Sequence, residues 1–488
     1  MSADHAFAQT PASAAPGHEQ TSRRHPQRWY AAIVLIAAFL MDLIDVTIVN
    51  VALPSIQHGL RADPTELEWV SAAYLLAFAA ALIAAARLGD QYGRKRLFLV
   101  SVAAFGLTSL CCGLAPSITV LIVARAVQGL AAAGIAPQVL STLYGIFDGK
   151  ERASVFGVFG IVAGLAQGLG LLLGAILIAA DLAGSGWRVV FLVNVPAAAV
   201  LVVLGARLVP ETREPGATRP NVAAVAVLSV GLVAVIVSLL EGRRLRWPAW
   251  GWLCLLGGVL AVVLLGFVET RKGGQQALLP ADLFRIRSVS AALLIQLFAF
   301  GGFTGLLLTL TLWMQNGLGY SPLHAGLVTI AFPLGALPTA LLVTRLTMRF
   351  GRATVAAGCL LFTLGTLALL PAGYATPHAS VWSLLPGLLL LGAGLNLIMP
   401  PLTTLYMAAV PAHHAASASG ILSTGQQFAG ALGVATLGSI FFAALDTGGY
   451  RAAFTTAAVV TAATLAGSAL LCLALPNSNQ SLTRVNAH

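Results

Sequence analysis

Apolar residues in this chain come in long runs, without collagen-like or heptad periodicity, and short clusters of charge separate them. A helix needs about 20 such residues to cross the roughly 30 Å hydrocarbon layer of a bilayer. The runs predict spans at about 31–53, 67–88, 97–115, 117–140, 154–179 and 188–207, then 221–240 and 249–268. Six more are predicted near 288–313, 324–346, 352–370, 381–407, 419–443 and 452–474, which makes fourteen in groups of six, two and six.

Composition narrows the class further. Of 488 residues, 58% are apolar and 9% charged, against roughly 45–50% and 25% in soluble domains. With a mean hydropathy of +0.88, a soluble globular protein and a disordered chain are both excluded. The first 28 residues, rich in Ala, Pro, Ser, Gln and His, read as a short disordered tail. They do not read as a signal peptide, because the apolar run that follows carries two acids and continues past signal length. The five cysteines all fall within apolar stretches without metal-ligand spacing and read as packing residues.

The net charge of +10 would suit nucleic acid if it were concentrated, but the placement of the basic residues points to membrane topology. With both tails in the cytoplasm, inner segments hold 20 of the 27 Lys and Arg, outer loops hold six, and Arg125 alone lies in the membrane. That is the positive-inside pattern. The outer loop with Arg243, Arg244 and Arg246 breaks it, which leaves a re-entrant hairpin as the alternative for the seventh and eighth spans.

Asp42, Asp45 and Arg125 are the three charges predicted deep within spans. Each costs at least about 2.5–3.5 kcal/mol at a helix centre, so each needs a partner or a water-filled cavity. At the helical rise, Asp42 lies about 16 Å, Asp45 about 21 Å and Arg125 about 18 Å from the inner surface, with the arginine between the acids. The two acids are three residues apart and share a face. The group predicts a proton-binding site with a nearby cation; the plainer alternative is a salt bridge that fixes packing.

Several ordered segments resemble a known family. MDLIDVTIVNVALP at 41–54 is similar to the first-span signature of the fourteen-span drug:proton antiporters of the major facilitator superfamily, the EmrB/QacA type. RLGDQYGRKR at 87–96 resembles the superfamily's loop motif, LIVARAVQGLAAA at 121–133 its fourth-span motif, and WRVVFLVNVP at 187–196 the entry to the sixth span. LGYSPLHAGL and QQFAGALGVA add C-terminal matches, so the resemblance runs from about 29 to 475.

The resemblance implies an all-α polytopic fold of fourteen transmembrane helices, with two six-helix bundles around a central cavity. The chain then divides into a cytoplasmic tail at 1–28, a bundle at 29–207, two added helices with linkers at 208–287, a bundle at 288–475 and a cytoplasmic tail at 476–488. Asp45 corresponds to the family's first-span acid, Asp42 is additional, and Arg125 corresponds to the arginine implicated in proton transfer. Asp90, Gly93, Arg94 and Lys95 match the loop motif with Arg96 in its basic run, while Ala86 and Gln91 depart from it. Asp90 is expected to meet Arg94 and a helix N-terminus of the other half, near Ser417 to Gly420, closing the cytoplasmic side. The antiporter motif falls on the fifth span, with Gly160, Gly164, Gly168, Gly170 and Gly174 giving a smooth face. There Leu171 replaces the usual proline and Ala175 the final glycine. Candidate substrate contacts are Tyr74, Gln167, Gln296 and Asn396; each is also a plausible interhelical hydrogen bond, and Trp69 reads as an interface anchor.

These features imply a secondary transporter in the cytoplasmic membrane that exchanges protons for an amphiphilic, cationic or aromatic drug. The resemblance implies no cofactor and no metal, a monomer as the working unit, and the lipid bilayer but no nucleic acid as a partner; an adaptor protein is compatible with it. A proton-coupled importer or facilitator on the same fold is the first alternative. A membrane-embedded enzyme or sensor is the second, for which no catalytic constellation appears in the sequence.

Overall fold

The computed structural model describes residues 27–212, 222–245, 248–271, 281–373, 381–411 and 415–475. In the N-terminal half, α1 is Arg28–Leu60, α2 Pro64–Tyr92, α3 Arg94–Gly113, α4 Ile118–Ala132, α5 Ala136–Ile146, α6 Gly149–Ala180, α7 Val189–Leu192 and α8 Asn194–Leu208. Next come α9 (Val222–Arg244), α10 (Ala249–Arg271) and the short α11 (Ala281–Arg285). The C-terminal half holds α12 (Arg287–Leu312), α13 (Pro322–Thr329), α14 (Ala331–Phe350), α15 (Arg352–Ala368), α16 (Val381–Ala409) and α17 (Ala415–Leu471).

Eleven stretches of the described residues are long and apolar enough to cross a membrane, and two shorter apolar helices, Gly168–Ala180 and Arg352–Ala368, accompany them. The 57-residue α17 turns at Gly449, whose φ of 70° lies where only glycine sits without strain. Two predicted runs share this one continuous assignment because the turn between them takes a single residue.

Local chemistry sets several boundaries. Asp63 and Glu66 form a reciprocal capping box at the start of α2, with Pro64 in the first turn. Ser117 caps α4, and Ser321 followed by Pro322 starts α13. The segment read as a loop at 87–96 is almost entirely helical: α2 runs to Tyr92, and Gly93 at φ 110° alone separates it from α3.

In the N-terminal half α1 packs on α6, α2 on α4 and α3 on both α4 and α8; in the C-terminal half α12 packs on α17 and α16 on α14 and α15. The halves meet along two seams. On the first, Ile83 faces Gly420, Leu75 faces Gly430 and Glu68 faces Gly438, so α2 and α17 run antiparallel. On the second, Gly168 of α6 lies against Pro333, and Gly326 of α13 against Leu171 and Ala175.

The helices α9 and α10 are 23 residues each, about 35 Å at the helical rise. Each is long and apolar enough to cross a membrane, and the two lie in contact at Gly231 and Gly258. The pair docks on α2, where Ser229 donates to the Ala80 carbonyl at 3.0 Å and the Trp69 indole donates to Glu241 at 2.9 Å. Trp69 thus fastens α2 to α9.

Candidate functional site

Five helices of the N-terminal half, α1, α2, α3, α4 and α8, converge on one buried polar cluster. Asp45 of α1 is wholly buried, as is the guanidinium of Arg125 from α4, whose Nη1 lies 2.5 Å from Asp45 Oδ2. Two amides complete the carboxylate's shell: Asn194 Nδ2 donates to Asp45 Oδ1 at 2.7 Å and Gln128 Nε2 at 3.2 Å. Ser109 of α3 accepts from both amides at 3.1 Å, and Gln128 Oε1 accepts from Arg125 Nη1 at 2.7 Å. Arg125 Nε donates to the Val70 carbonyl of α2 at 3.2 Å. A buried ion pair is stable only when its remaining hydrogen-bonding capacity is filled in this way.

Asp42 takes a different partner. Its carboxylate accepts from the Tyr74 hydroxyl, and the Tyr74 ring lies under the Arg125 guanidinium, 4.1 Å from ring centre to guanidinium carbon. The arginine therefore engages Asp45 by charge and reaches Asp42 through the aromatic ring between them. Tyr74 thus joins the acid cluster.

The loop motif gathers as a compact clasp. Asp90 Oδ1 accepts from Arg94 Nε at 2.9 Å and from Nη2 at 2.7 Å. Lys95 Nζ donates to the Ala206 carbonyl at 2.8 Å, its backbone N–H reaches Glu211, and Arg96 lies 4.0 Å from the same carboxylate. The Arg94 N–H donates to the Thr212 carbonyl at 3.1 Å. These contacts bind the motif to the end of α8; Gly420 at the start of α17 faces Ile83 of α2, and the Ser417 side chain lies outside the described residues.

The glycines of α6 divide between two neighbours. A Cβ at Gly170 would overlap the Thr47 hydroxyl, and one at Gly174 would come within 2.8 Å of Ile48, so these two face α1. Gly168 faces Pro333 across the seam. Ala175, which stands where the motif has glycine, meets Gly326 on α13, so the small residue needed for close approach is supplied by the opposite helix. Gly160, Gly164 and Gln167 lie outside the residues whose surroundings are described.

Gln296 and Asn396 are tied within the C-terminal half. Gln296 Nε2 donates to the Leu422 carbonyl at 2.7 Å, and Asn396 Nδ2 to the Thr339 hydroxyl at 3.0 Å. Sequence reasoning missed four residues. Gln128, Ser109 and Asn194 are neutral polar residues among many in apolar runs, and only their convergence marks them. Glu68 was passed over because it begins a predicted span beside Asp63 and Glu66, yet it is wholly buried, with its carboxyl group against Gly438.

Comparison with known proteins places this arrangement. The family model of the Major Facilitator Superfamily matches residues 35–291 and 292–486. The chain is 36% identical over 445 residues to the probable actinorhodin transporter of Streptomyces coelicolor, covering 88% of this chain and 76% of that protein. It is 36% identical to the puromycin resistance protein of Streptomyces alboniger, covering 85% and 82%. To the multidrug resistance protein Stp of Mycobacterium tuberculosis it is 35% identical, covering 85% and 76%. Among solved structures, a POT peptide transporter aligns with a TM-score of 0.64 at 16% identity over 91% of this chain and 95% of the other, a likeness of fold. A bacterial homologue of the lysosomal transporter Spinster, in an inward-facing occupied conformation, aligns at 0.64 and 15% identity over 92% and 96%. The chain is a multi-pass membrane transporter that belongs to the Major Facilitator Superfamily.

Proposed function

We propose that this transporter exports an amphiphilic drug across the cytoplasmic membrane in exchange for protons. The observation that carries the proposal is the enclosed Asp45–Arg125 pair with its amide shell. A carboxylate held by one cation and two neutral donors has alternative partners to exchange among when a proton arrives, as coupling requires. The relatives named for resistance to, or transport of, antibiotics support export as the direction. In this reading Asp45 carries the exchanged proton, Arg125 tunes it, and Asp42, held by Tyr74, is an accessory acid. The clasp of Asp90 with Arg94 stabilises closure of the cytoplasmic end. The chain crosses the membrane fourteen times as a monomer with both termini cytoplasmic, and Gly168, Leu171 and Ala175 form a sliding seam against the other half.

The test is drug-induced proton release from sealed proteoliposomes, with the parent and Asp45→Asn compared over a panel of cationic and neutral aromatic drugs. Counterflow of drug and protons that vanishes in Asp45→Asn supports the proposal. Drug movement without protons overturns coupling, and uptake driven in the same direction as protons makes the protein an importer.

A further inference from the structure

The shell around Asp45 is matched, hydrogen by hydrogen, to an ionised carboxylate. Such a group only accepts, and it receives Arg125 Nη1 on Oδ2 and the side-chain nitrogens of Gln128 and Asn194 on Oδ1. Each amide nitrogen has one more hydrogen, and both go to Ser109 Oγ at 3.1 Å. Ser109 in turn gives its own hydrogen to the Phe191 carbonyl of α7 at 3.1 Å. Besides Arg125 of α4, the titratable side chains that act on Asp45 are Asp42 on its own helix, Tyr74 of α2 and Cys112 of α3. From α6, Gly170 and Gly174 meet this stretch of α1, and α8 brings the neutral Asn194.

A proton on Asp45 breaks the match, because it adds a donor where every facing group also donates. A buried donor without an acceptor is costly, so one amide must turn its oxygen to the new hydroxyl. Gln128 is held against this. Its Oε1 accepts from Arg125 Nη1 at 2.7 Å and from the Cys112 thiol at 3.6 Å, and a reversal would set its NH2 group against the guanidinium.

Asn194 has no such tie. Its nitrogen makes both of its side-chain bonds, and among the described residues nothing donates to its oxygen. It opens α8 just after a break in the span, where Pro196 has no N–H to give to the Leu192 carbonyl. It is also the most accessible member of the shell, at 4% against 0–1% for Asp45, Arg125, Gln128 and Ser109. A reversed NH2 group therefore comes to lie at the edge of the cluster.

We infer that Asn194 is a positioning residue for the exchanged proton: when Asp45 is protonated, the Asn194 amide rotates about its Cβ–Cγ bond and accepts the Asp45 hydroxyl through its oxygen. The inference rests on the reading that Asp45 carries the proton. The step balances with water as the only other reactant. A proton delivered by water bonds to Asp45 Oδ1, the new O–H donates to Asn194 Oδ1, and the contact of Arg125 with Asp45 changes from an ion pair to a hydrogen bond with a neutral acceptor. Arg125 keeps Gln128 Oε1 throughout. Ser109 can turn its hydrogen from the Phe191 carbonyl to the same amide oxygen. The carboxyl group is thus partnered in both protonation states, as a reversible cycle requires.

Infrared difference spectra of the full-length protein in lipid films, recorded between high and low pH, test this. A protonated carboxyl stretch that is absent in Asp45→Asn reports the proton, and a side-chain amide C=O band that is absent in Asn194→Ser reports the rotation. Both bands are expected to develop with one midpoint. The amide band is expected to vanish in Asp45→Asn and to survive in Gln128→Leu. Asn194→Leu removes a donor to the carboxylate and is expected to move the carboxyl midpoint up by about one pH unit, a tenfold gain in proton affinity. Asn194→Ser, which keeps a smaller group that donates and accepts, is expected to move it less, and it carries the assignment if Asn194→Leu fails to fold. An amide band that persists in Asp45→Asn or Asn194→Ser, one that is lost in Gln128→Leu, or an unmoved midpoint in Asn194→Leu overturns the inference. The readout involves neither drug nor net transport. Absent counterflow with both bands intact therefore sinks the export reading alone, and intact counterflow without the amide band sinks this inference alone.

Discussion

Arg125 is the residue on which the buried cluster turns. It engages a carboxylate, an amide, a backbone carbonyl and an aromatic ring, from four residues on α1, α2 and α4. Removing one member of a buried pair strands the other, at a cost of about 3–5 kcal/mol. Arg125→Leu is therefore expected to lower stability by about that amount in thermal unfolding of the detergent-solubilised protein. Asp42→Asn, which keeps an oxygen for the Tyr74 hydroxyl, is expected to cost less than about 1 kcal/mol. Equal losses in the two variants would mean that Asp42 shares the ion pair. Asp42, Asp45 and Arg125 were legible in the sequence because a charge inside an apolar run is rare and expensive. Asn194 and Gln128 were not, since a neutral amide is tolerated in a span whether it holds a carboxylate or merely ties two helices.

At the scale of elements, α6 shows how one helix serves two contacts. Its Gly170 and Gly174 let α1 approach, and Gly168 with Leu171 and Ala175 faces the C-terminal half. Gly170→Val has no room beside Thr47 and Ile44, and is expected to destabilise the protein by about 1–3 kcal/mol. Gly145→Ala meets nothing within 4 Å and is expected to be neutral or stabilising by up to about 1 kcal/mol. A chemical-denaturant series on the two variants decides this, and equal stability would remove the close α1–α6 contact from the account. The spacing of glycines announced a smooth helix in the sequence, but which glycine faced which neighbour was not readable. A helix face acquires meaning only once its neighbours are placed. The same holds for Ala175, which looks like a departure from the motif until Gly326 is seen opposite it.

Across the whole molecule, side-chain hydrogen bonds join the two halves at the end away from the Arg94 clasp. The π-helical turn Trp313–Gly317 finishes α12 there. It aims Gln315 at the Val51 carbonyl of α1, at 3.0 Å, and Asn316 at Gln57, at 3.4 Å, while Trp313 stacks on Phe454 within its own half at 4.3 Å and 6°. Gln315→Leu removes the donor that crosses between the halves, worth about 0.5–1.5 kcal/mol, or roughly two- to tenfold in the opening equilibrium. Paired spin labels at Arg61→Cys and Ser321→Cys, with exposed Cys111 replaced, are expected to show a larger population of long distances in this variant. An unchanged distance distribution would place the closing contact elsewhere, with the Glu68–Gly438 packing as the next position to alter.

The sequence by itself determined the solvent and the identity of the costly charges, because hydrophobic run length and the price of burying an ion are local properties. The motif segments added the superfamily, since their order along the chain is a one-dimensional pattern. Only the tertiary structure decided that Arg125 binds Asp45 directly while Tyr74 holds Asp42, that Glu68 is enclosed between the halves, and that α9 fastens to α2 through Trp69 and Glu241. These are pairings between residues dozens to hundreds of positions apart. Their choice depends on which faces the packed helices turn toward each other, and hydropathy along the chain carries no record of that.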